Sequence, residues 1–98
     1  MDMESLMTNA QGLQNKIAQA QNSLSQMHVK GIADNGAVIV DMTGKYDLVS
    51  VAINPDVLSR GAKVVSDLVA DAYRDAKGKA DVLIDEVMTK VTGGFSFD

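Results

Sequence analysis

The chain has 98 residues, 46% of them hydrophobic and 22% charged, with only Tyr46, Tyr73, Phe95 and Phe97 aromatic, so it makes one small domain around a thin aliphatic core. It has no cysteine, which excludes disulfides and thiol nucleophiles, and no apolar run near the roughly 20 residues that span a bilayer. The net charge of −4 is spread along the whole length, and taken alone it argues against a polyanionic partner, because phosphate binding needs a local cationic patch.

The first 27 residues read as one helix. Met3, Ala10, Ile17 and Leu24 are spaced by seven, and so are Leu6, Leu13, Ala20 and Met27 at an offset of three. That repeat draws a single apolar stripe down a helix. Its flanks are mostly glutamine, asparagine and serine, with Lys16 the one basic residue. Two readings of the stripe stay open: it packs on its own domain, or it shares a seam with a long helix of the same or another chain. Gly12, off the stripe, costs about 1 kcal/mol of helix propensity.

Three strand-like runs follow. His28 to Asp34 leads into Asn35-Gly36, a hairpin signal. Ala37 to Met42 alternates, with Val38, Val40 and Met42 on one side. After a turn at Thr43-Gly44-Lys45, Leu48 to Ile53 alternates again, with Val49, Val51 and Ile53 opposite Leu48, Ser50 and Ala52. The β-branched face belongs under a helix. Ile39 and Leu48 make the other face more apolar than a wet face needs, which predicts a second cover there.

Asn54-Pro55-Asp56 reads as a capped helix start, Ser59-Arg60-Gly61 as an interruption, and residues 62–91 as a long helix. Val65, Val69, Ala72, Ala76, Ala80, Leu83, Val87 and Val91 share one broad face of it. Gly93-Gly94 stops it, and residues 95–98 read as a tail after a single domain over 1–94. The fold class is α+β: helix, three-stranded antiparallel meander, short helix, long helix.

Length has a consequence. The last helix should span about 45 Å and the first roughly 37 Å, whereas strands of this size reach only about 20–23 Å. Both helices overhang the sheet, and three strands leave two open edges. A homodimer with projecting helical arms answers both. Its core and seam are expected to use Leu6, Leu13, Ile17, Leu24, Val38, Val40, Val49, Val51 and Ile53.

The residues offer little catalytic chemistry. His28 is the sole histidine, so no histidine pair can hold a metal. The aspartates at 67, 71 and 75, and at 81 and 85, read as a solvated face rather than a cation site. Lys63–Asp67, Asp71–Arg74, Asp75–Lys79, Lys77–Asp81 and Glu86–Lys90 all have ion-pair spacing. Neither an enzyme nor a cofactor is expected.

Taken in order, several segments resemble the YbaB/EbfC family of bacterial nucleoid-associated proteins. They are LMTNAQGLQNKIAQAQNSL, VKGIADNGAVIVDMTG, VAINPDVL, SDLVADAYRDAKGKA and MTKVTGG, which together extend over nearly the whole chain. The resemblance implies a homodimer whose first and last helices project as tweezer arms. It also implies weak, non-specific binding of double-stranded DNA in the bacterial cytoplasm at the nucleoid. On that reading Lys16, Arg74, Lys77, Lys79 and Lys90 contact phosphate, with Lys63 peripheral. The alternative is an adaptor whose arms grip a protein of the DNA-processing machinery; the negative charge and the nearly uncharged first helix motivate it. No membrane partner is expected.

Overall fold

The computed structural model describes residues 3–92. Helix α1 (Met3–Gln26) leads into strand β1 (His28–Ala33), a one-turn 3-10 segment (Asp34–Gly36), β2 (Val38–Thr43), β3 (Leu48–Ile53), a short helix α2 (Pro55–Leu58) and the long helix α3 (Ala62–Thr92). The strands form an antiparallel sheet in the order β1-β2-β3. This is the α+β order that the sequence predicts. The expected Gly93-Gly94 stop and the tail lie outside the described residues.

The connections follow from local chemistry. Asp34, Asn35 and Gly36 all hold positive φ, at 52°, 55° and 93°, a region that Asp and Asn tolerate and Gly adopts freely. The Arg60 guanidinium donates to Asp34 Oδ2 at 2.6 Å and ties this turn to the loop before α3. At α2 the Asn54 Oδ1 accepts from the Asp56 N–H at 3.0 Å, with proline in the first turn, as capping preferences demand.

The core lies between the sheet and α3. Val38, Val40 and Met42 are fully buried, as are Ala72, Ala76 and Ala80, one turn apart along α3. The alanine row lets the helix come down directly onto β1. Gly31 makes the approach possible: a Cβ there would lie 1.8 Å from the Ala72 carbonyl oxygen and 2.4 Å from the Ala76 nitrogen. α3 therefore covers β1 and β2 and leaves β3 to one side.

That placement corrects two expectations. Val51 and Ile53 do register with Val40 and Val38 and so share the core face. Val51 is nevertheless 38% exposed and Val49 50%, because their own helix does not reach them. A bulge between Asp41 and Met42 also brings Leu48 opposite Met42. It inserts one residue and moves Leu48 to the register of the core face, against simple alternation. The predicted second cover is not supplied within the chain. Ile32 on the far face stays 47% exposed beside half-buried Ile39.

α1 is held most firmly at its C-terminal end. Leu24 and Ala20 are buried, and the Gly44 N–H donates to both the Leu24 and Met27 carbonyls at 3.0 Å. The Leu24 carbonyl, at the helix end, also accepts from the Met27 N–H at 3.2 Å, so the two segments share one acceptor there. A Cβ on Gly44 would come within 2.8 Å of the Leu24 carbonyl and 2.9 Å of its side chain, so Gly44→Ala should weaken the docking of α1, seen as faster amide exchange along it. The same turn is tied to α3 by Tyr46, which has φ 67° and donates its hydroxyl to Asp81 Oδ1. Accepting by Asp81, then burial and the aspartate charge, hold the Tyr46 phenol above its ordinary range. The tie thus operates below about pH 10 and is lost as pH rises through the folded value.

Leu13 and Ile17 are half-buried, but Leu6 is 48% exposed. The distal half of the stripe, Leu6 included, thus finds no cover within the single chain. The molecule is long, with extents of 68 × 24 × 16 Å, and the two overhanging helices make that length.

Candidate nucleic-acid interface

α1 and α3 run side by side along the arm. Lys16, Gln19, Ala20, Ser23 and Met27 of α1 face Val87, Lys90 and Val91 of α3 across a groove of about 490 Å³. The floor is apolar, and two lysines from opposite ends of the sequence stand along it. Gln19 and Ser23 add neutral hydrogen-bonding groups. Such a mixture suits a sugar-phosphate backbone, where charge sets affinity and neutral donors set position.

The other predicted cations are distributed differently. Arg74 and Lys77 line a shallow groove of about 670 Å³ with Val65, Val69 and Tyr73, on the flank of α3. Arg74 also reaches Asp71 at 3.0 Å. Lys63 pairs with Asp67 at 3.2 Å at the start of α3, some 27 residues and so about 40 Å along the helix from Lys90. Three of the five predicted ion pairs form. The other two do not: among the described residues Lys77 and Lys90 make no ion pair, and Asp81 is taken by Tyr46 instead.

Lys79 has a structural task that spacing alone did not reveal. It pairs with Asp75 Oδ2 at 3.0 Å and donates to the Lys30 carbonyl at 2.7 Å. Asp75 Oδ2 in turn accepts from the Ile32 N–H at 2.9 Å. Two α3 side chains thereby satisfy the backbone of β1. The Ile32 N–H and then the Lys79 contact hold the Asp75 carboxyl below its usual range. A carboxyl lowered in the folded state adds stability above its unfolded value, about 4, and loses it as pH falls through the folded value. Urea midpoints measured from pH 7 down to pH 2 should therefore drop more steeply for the wild type than for Asp75→Asn.

His28 Nδ1 lies 2.8 Å from Asp41 Oδ1 on the sheet surface. Among the described residues no group of three His, Asp or Glu side chains is placed to hold a metal ion, and no helix is long and apolar enough to cross a membrane. Sequence reasoning missed Gln19 and Ser23 as groove residues. For Ser23 the signal was present, since it flanks the heptad stripe one heptad after Lys16; Gln19 lies off the flank, and spacing did not mark it.

The comparisons with known proteins agree with this architecture. Residues 1–95 match the model of the YbaB/EbfC DNA-binding family. A nucleoid-associated protein of Beijerinckia indica is 40% identical over 94 residues, which cover 95% of this chain and 93% of the relative. A nucleoid-associated protein of Cyanothece sp. is 37% identical over 95 residues, covering 97% and 83%. One from Bradyrhizobium diazoefficiens is 36% identical over 94 residues, covering 95% and 89%. Among solved structures, the crystal structure of the uncharacterized protein HP0035 from Helicobacter pylori matches with a TM-score of 0.62. It is 18% identical, covers 90% of this chain and 98% of the other, and bears on the fold alone. With a family match along almost the entire chain and relatives of equal span, this two-helix arm on a three-stranded sheet belongs to the YbaB/EbfC DNA-binding family of nucleoid-associated proteins.

Proposed function

We propose that this chain is a non-specific DNA-binding homodimer of the bacterial cytoplasm, held at the nucleoid, where it organises DNA or modulates expression. The family match over residues 1–95 carries the reading. The arm groove supports it, since Lys16 and Lys90 converge there with neutral donors between them. Arg74 and Lys77 extend the contact along the flank of α3. Lys63, Arg74 and Lys79, already engaged by aspartates, contribute less than Lys77. No catalytic role is proposed.

Few unengaged cations and a net charge of −4 imply a dissociation constant at the weak end, on the order of 10⁻⁴–10⁻⁶ M. Gel shifts on several unrelated duplexes across a salt series test this. Binding should be similar on every sequence and should weaken steadily with salt. Binding that ignores salt, or that selects one sequence, would reject the proposal.

The negative charge and the aspartate-engaged lysines favour one other reading, in which the arms hold a protein of the DNA-processing machinery. A pull-down from nuclease-treated bacterial lysate separates the two. Partners that disappear with the DNA support direct DNA binding, and a partner that survives supports the adaptor.

A further inference from the structure

One turn touches both helices of the arm. Residues 43–47 join β2 to β3 and are held as a unit by their own hydrogen bonds. The Thr43 N–H donates to the Asp47 carbonyl at 2.9 Å, and the Tyr46 N–H to the Thr43 carbonyl at 3.0 Å. The Oγ1 of buried Thr43 accepts from the Lys45 and Asp47 N–H groups at 3.2 and 3.1 Å. From this frame the Gly44 N–H reaches α1, at the Leu24 and Met27 carbonyls. The Tyr46 hydroxyl reaches α3, at Asp81.

Tyr46 holds φ 67°. Glycine and asparagine occupy that region at little cost, whereas a bulky aromatic residue is an outlier there. Strain of this kind persists where the surroundings fix the residue, and it clusters at working positions. The tyrosine is 42% exposed, so burial does not account for it. What the side chain supplies is its hydroxyl on Asp81, a hydrogen bond to a charged acceptor.

These ties stand at the base of the groove that Lys16 and Lys90 line. Met27, whose carbonyl Gly44 holds, is itself part of the groove lining. Lys16 on α1 and Lys90 on α3 each stand about 12–14 Å along the helix from the turn's contacts. Rotating either helix by about 10° at its tie would carry its lysine about 2 Å sideways, and a hydrogen bond to a phosphate oxygen does not survive such a shift. We propose that Tyr46 and Asp81 are positioning residues for the DNA groove. Through the self-bonded turn they fix α1 against α3, and so the separation of Lys16 and Lys90, without touching DNA themselves. The inference rests on the reading of that groove as the DNA contact, and it specifies what sets the groove's width.

Two measurements on the full chain test this: amide exchange without DNA, and fluorescence anisotropy with a labelled duplex across a salt series. Tyr46→Phe removes the donor and no charge, so it is compared with the wild type. Asp81→Ala and Asp81→Asn remove the same charge, but the asparagine keeps an acceptor oxygen for the phenol, so the two are compared with each other. In Tyr46→Phe the amides of residues 16–24 should exchange about three- to tenfold faster, the range that one hydrogen bond spans, while those of Val38, Val40 and Met42 keep the wild-type rate. Duplex affinity should fall by a similar factor with an unchanged salt slope, because no phosphate contact is deleted. Asp81→Ala should show the same two losses relative to Asp81→Asn. Unchanged exchange over residues 16–24 in Tyr46→Phe overturns the positioning role, whatever the DNA result. Faster exchange of the core strand as well overturns it too, since the loss is then one of general stability. Faster exchange confined to α1 with unchanged affinity leaves the tie standing and rejects its part in DNA binding. A wild type that binds no duplex overturns the groove reading itself, and exchange then reports the tie alone.

Discussion

Replacing Gly31 with valine is expected to leave the chain unfolded in the absence of denaturant. The loss has one cause. The first carbon of any side chain at this position would stand 1.8 Å from the Ala72 carbonyl oxygen and 2.7 Å from the Ala76 Cβ, where helix backbone cannot give way as a flexible side chain can. Relieving the clash would lift α3 off β1 and open Val38, Val40 and Met42 to water. Overpacking at ordinary core sites costs about 1–3 kcal/mol, and here the obstruction is backbone, so the cost should exceed about 3 kcal/mol. A small domain holds only roughly 5–15 kcal/mol in total. Gly31→Ala should be destabilised in the same direction and give a measurable urea midpoint. Gly12→Ala and Gly78→Ala are the controls, since a Cβ meets nothing within 4 Å at either site. Each should gain up to about 1 kcal/mol from helix propensity. Far-ultraviolet circular dichroism with urea titration decides the matter; a folded Gly31→Val of normal midpoint would mean that α3 does not lie on β1 as described.

Charge reversal in the arm groove should have the second-largest effect. Lys16→Glu with Lys90→Glu turns two attractive contacts into repulsive ones at the place where α1 and α3 face each other. If each lysine neutralises one phosphate, the slope of log K against log salt should shrink by about 0.9 for each one lost. Affinity at low salt should fall by at least about tenfold, because each such contact is worth roughly a kcal/mol or more in binding. Lys63→Glu, far along α3 and paired with Asp67, should change binding little. Lys79→Gln should lower stability more than binding, because Lys79 holds the β1 edge. Fluorescence anisotropy with a labelled duplex measures all four proteins under the same salt series. Equal losses from Lys63→Glu and from the groove pair would show that a diffuse field rather than this groove carries the contact.

The difference between these lysines shows how far a sequence can be read. On spacing alone Arg74, Lys77 and Lys79 form a cluster. In the fold Lys79 bends to a strand carbonyl, Arg74 reaches back to Asp71, and Lys77 stays unpaired among the described residues. Helical spacing permits an ion pair, but the neighbours decide whether it forms. Asp81 was available to Lys77 by spacing and was claimed instead by Tyr46, from a turn 35 residues away. No one-dimensional pattern contains that competition. The same limit explains β3. Alternation placed Val51 and Ile53 on the core face correctly, yet it could not say that α3 would settle over β1 and β2 and leave Val51 partly bare.

The order of elements, the sheet's meander, the buried row Val38, Val40 and Met42, the capped start at Asn54, the apolar face of α3 and the mismatch between long helices and short strands were all determined by the sequence by itself. Each depends on a local period or a local backbone preference, and such signals survive in one dimension. The seating of the long helix on a glycine in β1, the capture of Asp75 and Lys79 by the strand edge, the slip that turned Leu48, and the meeting of Lys16 with Lys90 were decided only by the tertiary structure. These are contacts between segments that are distant along the chain. Their outcome depends on which close approach is sterically open and which polar group reaches a partner first, and that is settled only when the pieces pack.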